Sequence, residues 1–146
     1  MSIHKSQLKS LIKRILNKDL SNLNNSETTV NLLLGTAAQE SKFGTYIKQL
    51  GNGPALGIFQ MERLTFDDLV HRFGDRFPII KTFVFEQLEW DFRASIIMAR
   101  IKYYSVPGFP ENNVQSLADY YKKYYNTYLG SATIEEFINN YNKYVG

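Results

Sequence analysis

Apolar residues recur at spacings of three and four in one segment of this chain after another, and no two segments alternate as paired strands would. Leu8, Leu11, Ile12, Ile15 and Leu16 form the first such stripe, within residues 3–18. Val30, Leu33, Leu34, Ala37 and Ala38 form the second. Ser26 is its expected N-cap, Glu27 stands in the favourable first turn, and the helix is expected to stop near Gly44. Thr65, with Asp68 three residues later, predicts a cap for a helix reading FDDLVHRF that ends at Gly74. Leu88, Phe92, Ile96, Ala99 and Tyr103 predict one long helix from about Glu86 to Ser105. It is apolar on several sides and so central to the core, with Pro107 and Pro110 ending it. Two further helices are expected over 113–126 and 133–144, the second opened by a Thr133–Glu136 capping box. The expectation is one all-α domain over 1–146, with room for a minor β-hairpin near 50–61.

Composition narrows what such a domain does. A chain of 146 residues suits one core and buries roughly 70% of the surface its unfolded form exposes. No run of about 18 apolar residues is present, so no integral membrane segment is expected. Without Cys there is no disulfide framework and no thiolate metal site. His4 and His71 stand apart from any second ligand at a metal-binding spacing, and nothing supports a Ser-His-Asp triad. No metal and no cofactor are therefore expected. The opening MSIHKSQLKSLIKR lacks the continuous apolar stretch of a signal peptide, so work outside a cytoplasm would need another agent of delivery.

The formal net charge of +3 is unevenly placed. Residues 1–20 hold five Lys and Arg against a single Asp, while the rest of the chain is close to neutral. A nucleic-acid binder spreads basic residues over a reading face, so no nucleic-acid partner is expected. The basic first helix has two readings. Lys5, Lys9 and Lys13 could lie on anionic lipid, or the helix could dock on the domain with its lysines solvated. Docking is favoured, because a small single domain needs its outer helices.

Chemistry is left to carboxylates. Glu40 follows Leu33 by seven residues, so the two point within about 20° of each other on an α-helix. A glutamate thus occupies an apolar face, close to a helix C-terminus whose dipole disfavours negative charge. Burial and dipole both raise a carboxyl pKa, which is what general acid catalysis near neutral pH requires. A structural Glu, satisfied by a local Arg or backbone amide, is the other reading of the same position. Gly35, mid-helix, is either tolerated at about 1 kcal/mol or marks close approach by another backbone. GNGPALG at 51–57 is a loop, and it lacks the Gly-Lys-Ser/Thr of a phosphate-binding loop.

The residues around Glu40 carry a resemblance. AAQESKFG, then the Gly-rich loop, then ALGIFQM resembles the signature of goose-type lysozymes and soluble lytic transglycosylases. Its first piece is Glu40-Ser41 with Phe43-Gly44, and its second is Gly57-Ile58-Phe59-Gln60. A late Ala-Tyr-Asn-Ala-Gly motif has its counterpart in Tyr124-Tyr125-Asn126-Thr127, where the small residues are missing. QESKFG…GPALGIFQME and YYKKYYNTYLGSATIEEFI resemble lysozyme-like proteins of bacteriophages in particular, and the likeness spans roughly 30–140. It implies a lysozyme-like helical domain with a substrate cleft. It also implies cleavage of the β-1,4 bond between N-acetylmuramic acid and N-acetylglucosamine in bacterial peptidoglycan. On this matching Glu40 is the general acid and Gln60 lines the cleft near the scissile sugar. Tyr125 and Asn126 contact the sugar and help position Glu40. Ser41 and Gly57, with the 51–57 loop, are further substrate-binding candidates, since glycines there would let backbone approach a glycan. Most tyrosines of YYKKYYNTY are expected to be surface tips of an amphipathic helix.

A hydrolase needs a second carboxylate, whereas a lytic transglycosylase works with one Glu as acid and then base. Among Glu62, Asp67, Asp68 and Asp91, Glu62 is the candidate second carboxylate, being nearest Gln60. Each of the others has a duller structural use, so the transglycosylase is favoured. The competing classes are a catalytically silent glycan-binding or structural part of a phage virion, among other virion proteins, and a lipid-surface protein anchored by residues 3–18. Location in a virion or in an infected host, acting on the host cell wall, follows from the phage resemblance alone.

Overall fold

A computed structural model of the chain describes residues 2–126 and 130–146. Among them it forms six α-helices: α1 Lys5–Asp19, α2 Glu27–Ser41, α3 Arg63–Phe73, α4 Phe92–Tyr104, α5 Val114–Tyr124 and α6 Ile134–Tyr144. Three short 3-10 helices, Leu50–Asn52, Pro78–Thr82 and Phe85–Glu89, join them. The fold is all-α. In place of a hairpin near 50–61 there are two isolated antiparallel bridges, Lys48 with Leu56 and Leu56 with Met61.

α2 is buried on almost every side, through Val30, Leu32, Leu33, Leu34, Ala37 and Ala38, and packs against α1, α4, α5 and α6. The Ser26 hydroxyl accepts from the Thr29 amide at its start. It ends at Ser41, three residues before the expected stop. Lys42, Phe43 and Gly44 all take positive φ (50°, 57° and 73°) and turn the chain back on itself. Gly35 marks a close approach, by side chains of α6 and not by backbone. A Cβ there would lie 2.5 Å from Cζ of Phe137 and 2.9 Å from Cδ2 of Tyr141.

The single helix expected over 86–105 is two. Asp91 interrupts it by offering Oδ1 to the Ala94 amide (3.0 Å), which caps a new helix, α4, behind the 3-10 turn Phe85–Glu89. α4 is as enclosed as α2, with Ile96, Ile97, Met98, Ala99 and Ile101 fully buried. α3 begins at Arg63, so Thr65 is inside the helix and is not its cap. Asp67 and Asp68 pair instead with Arg63 (3.6 Å) and Arg72 (3.2 Å) one turn away.

α1 lies on α2 and α4 through Leu8, Ile12, Ile15 and Leu16, all buried. Lys9 and Lys13 both reach Glu27 of α2 (2.6 and 3.3 Å), and Asp19 holds Arg93 of α4 in a two-pronged pair (2.8 and 2.7 Å). Among the described residues no helix is long and apolar enough to cross a membrane.

Candidate active site

Glu40 stands in the last turn of α2, where the left-handed turn at 42–44 leaves the helix end facing a cleft of about 670 Å³. Gln60, Glu62, Lys102, Tyr125 and Asn126 share its wall with Glu40, so chain segments far apart in sequence converge there. Gln39, Tyr46, Gln49 and Glu136 complete most of the polar lining.

α5 crosses the end of α2 and brings Tyr121 against Glu40, its hydroxyl donating to Oε2. Tyr121 is fully buried and stacks between Tyr125 and Phe137. Desolvation pushes the Glu40 carboxyl up to about 7. The Tyr121 hydrogen bond and the positive charge of Lys102 act against that rise without cancelling it. Burial, and then the negative charge of Glu40, drive the Tyr121 phenol far above its ordinary pKa, so Tyr121 stays a donor. Tyr46, Tyr103 and Tyr125 are raised for the same two reasons. The acid is thus ringed by neutral phenols. With Oε2 accepting from Tyr121, the proton of the neutral acid belongs on Oε1.

Lys102 reaches the cleft from α4. Its Nζ donates to the Tyr125 carbonyl (3.1 Å) and lies 3.7 Å from the centre of the Tyr125 ring. Burial pulls its pKa down to about 8, opposed by the charges of Glu40 and Glu62. At neutral pH it remains the cation of the cleft.

The other anticipated residues divide. Gln60, at φ 50°, donates Nε2 to the Gly57 carbonyl (2.8 Å) and lines the cleft. Asn126 lies beside it on the lining, its Oδ1 accepting from Lys122 (3.2 Å). Glu62 is exposed on the wall at the N-terminus of α3. Tyr125 lines the cleft with its hydroxyl turned inward, donating to the Phe59 carbonyl (2.8 Å). The phenol therefore ties α5 to the Gly57–Gln60 turn, and the residue that holds Glu40 is Tyr121, one helical turn earlier.

Ser41 and Gly57 are not on the cleft surface. Ser41 is wholly buried; its hydroxyl donates to the Ile58 carbonyl (2.7 Å) and accepts from the Gly44 amide (2.9 Å), welding the helix end to the turn. Gly57, at φ 84°, faces protein and not open space, since a Cβ there would come within 2.4 Å of the Leu88 carbonyl oxygen. Thr127, the last residue matched to the late motif, lies outside the described residues.

Sequence reasoning missed Tyr121, Lys102, Tyr46 and Glu136. The signal for Tyr121 was its spacing: Leu117, Tyr121 and Tyr125 follow one another by four on the buried face of α5. Of the tyrosines at 120, 121, 124 and 125, two are buried and two half-buried, so this cluster is less of a surface feature than expected. Lys102 was legible as one of two cations, with Arg100, within the otherwise apolar stretch IIMARIKYY.

Compared with protein-family models, curated proteins and solved structures, the chain matches none.

Proposed function

We propose that this chain cleaves peptidoglycan glycan strands at the β-1,4 bond between N-acetylmuramic acid and N-acetylglucosamine, in the manner of lysozyme-like enzymes, with Glu40 as the general acid. The observation that carries this reading is a carboxyl held near pKa 7 on the floor of a cleft long in amides and hydroxyls. Glycoside cleavage needs a neutral acid beside the leaving oxygen, and groups that orient sugar hydroxyls without adding charge. Gln60 and Asn126 supply amides for that purpose. The lysozyme-like fold is part of the same proposal, and it rests on the Glu40-Ser41, Gly57–Gln60 and Tyr125-Asn126 motifs converging on one site.

The favoured reaction is the lytic transglycosylase one. Glu40 gives its proton to the glycosidic oxygen as the bond from C1 breaks. The carboxylate so formed takes the proton of the muramyl 6-hydroxyl as that oxygen bonds to C1. The product is a 1,6-anhydro end, and Glu40 is a neutral acid again. Asp67, Asp68 and Asp91 are engaged in helix pairs or a cap. Glu62 and Glu136 are the other carboxylates on the cleft wall, and a hydrolase would draw its second group from these. On this proposal the chain works at a bacterial cell wall, as part of a phage virion or from within an infected host.

Digestion of purified peptidoglycan, with the sugar ends identified by mass, tests the reading. Anhydro ends support the transglycosylase. Reducing N-acetylmuramic acid ends mean a lysozyme, and loss of those ends in Glu62→Gln or Glu136→Gln would locate its second carboxylate. A folded protein that binds the polymer and leaves it intact is a silent binding module, and the enzyme proposal falls.

A further inference from the structure

A second cavity, of about 320 Å³, shares no lining residue with the cleft. Its size is at the small end of ligand pockets, about 300–1,000 Å³. Leu23, Leu32, Tyr104 and Phe109 give it an apolar wall, and two arginines, Arg76 and Arg100, stand in that wall with no carboxylate among the lining residues.

Arg100 is the anomaly. It is 5% exposed and has no acidic partner among the described residues. Its Nη2 donates to the Asn24 carbonyl (2.9 Å) and its Nε to Oδ1 of Asn25 (3.4 Å). No described residue accepts from Nη1, yet no buried side-chain nitrogen or oxygen is left without a partner. Nη1 therefore keeps some access to solvent, and Arg100 is one of the residues that line this cavity. A buried, unpaired charge is costly, and a counter-ion within reach offsets that cost. Burial also pulls the Arg100 pKa below its ordinary value, a strain an anion would relieve. Arg76 is exposed and lies over the rings of Phe77 and Tyr104 (5.7 and 5.2 Å), which keeps a second guanidinium beside the opening. Phe109, 46% exposed, offers a free aromatic face to an apolar body entering there.

We propose that this cavity is a binding site for a small organic carboxylate. Its anionic head pairs with Nη1 of Arg100, with Arg76 beside it, and its apolar body lies against Leu23, Leu32, Tyr104 and Phe109. A guanidinium edge fits a carboxylate head, and the aromatic lining fits a flat ring or a short hydrocarbon chain. The site is independent of peptidoglycan chemistry.

The test is titration of the whole protein with phenylacetate, and with its neutral amide phenylacetamide, followed by amide chemical shifts. Phenylacetate should saturate at low millimolar or tighter, moving the resonances of Leu23, Leu32 and Phe109, and phenylacetamide should bind at least about tenfold more weakly. Arg100→Gln should lose about the same factor. Because Arg100 is buried and that variant could fail to fold, Phe109→Ala is the companion, expected to weaken phenylacetate several-fold with unchanged melting temperature. Glu40→Gln should bind phenylacetate as the parent protein does. Equal affinity for acid and amide, shifts confined to Gln60 and Lys102 in the cleft, or no saturation by about 10 mM would overturn the site.

Discussion

Tyr121 donates its hydroxyl hydrogen to Oε2 of Glu40 from a position 81 residues further along the chain. The bond favours the ionised carboxylate, so it holds the Glu40 pKa lower than burial alone would set it. Removing it in Tyr121→Phe forfeits a charged hydrogen bond worth about 1.5–3 kcal/mol. The alkaline limb of the activity profile should move up by about one to two pH units. A limb that stays in place or moves down would refute the role given to Tyr121.

Glu40→Gln keeps shape and loses the proton. Activity on cell walls should fall by at least about 10²-fold, the usual scale of general acid catalysis. Near-parental activity in the folded variant would refute the assignment.

The same substitution has a thermodynamic signature. The folded protein holds the Glu40 proton with a pKa near 7, above the ordinary 4.5, so the stabilising contribution of that proton is complete below about 4.5 and is lost as pH rises through about 7. Gln does not titrate. The stability of Glu40→Gln relative to the parent should therefore grow between pH 5 and pH 8, approaching about 3 kcal/mol. Denaturant melts of both proteins across that range measure it, and a constant difference would show that the carboxyl is not desolvated.

Lys102 titrates in the opposite sense. Its folded pKa, about 8, lies below the ordinary 10.5, so its burial weakens the fold most at pH below about 8, and the deficit disappears as pH rises through 10.5. Lys102→Met should be the more stable protein at pH 7 and lose that advantage towards pH 10.5. Urea midpoints at the two pH values check the sign.

Gly35→Ala would improve helix propensity by about 1 kcal/mol in isolation. Here the new methyl meets Phe137 and Tyr141, so the net effect should be a loss of about 1–3 kcal/mol, seen as a lower melting temperature. On α1, Ile12→Ala should cost about 2–5 kcal/mol, and Lys9→Gln under about 1 kcal/mol, because the first empties the core and the second breaks a half-exposed ion pair. Strong liposome binding lost in Lys9→Gln, with stability untouched by Ile12→Ala, would restore the lipid-surface reading.

Helix positions were legible where one periodicity ran between clear stops, as in α1, α5 and α6. They were misjudged where a side chain competed with the backbone. Asp91 reads as one more polar residue in a long apolar pattern, yet its carboxylate takes the Ala94 amide and divides the helix. Lys42 and Phe43 carry no mark of left-handed backbone; only the packing that follows, with the Ile3 amide donating to the Phe43 carbonyl (2.8 Å), makes that turn worthwhile. Glu40 was legible because an inward glutamate breaks the pattern of its own helix. Tyr121 was not, because an inward tyrosine obeys it. Ser41 and Gly57 stand at motif positions for reasons of close packing, and motif matching has no means of separating such residues from those that face a ligand.

The bond from the Tyr125 hydroxyl to the Phe59 carbonyl joins chain segments 66 residues apart. In terms of motion, it couples the two walls of the cleft. The end of α5 and the Gly57–Gln60 turn cannot drift apart while it holds, and once it breaks both are released together. Amide protons of Tyr125 and Met61 should then exchange through one shared opening event, slower than the outer helix ends, and the cleft should breathe as a unit and not as two independent flaps.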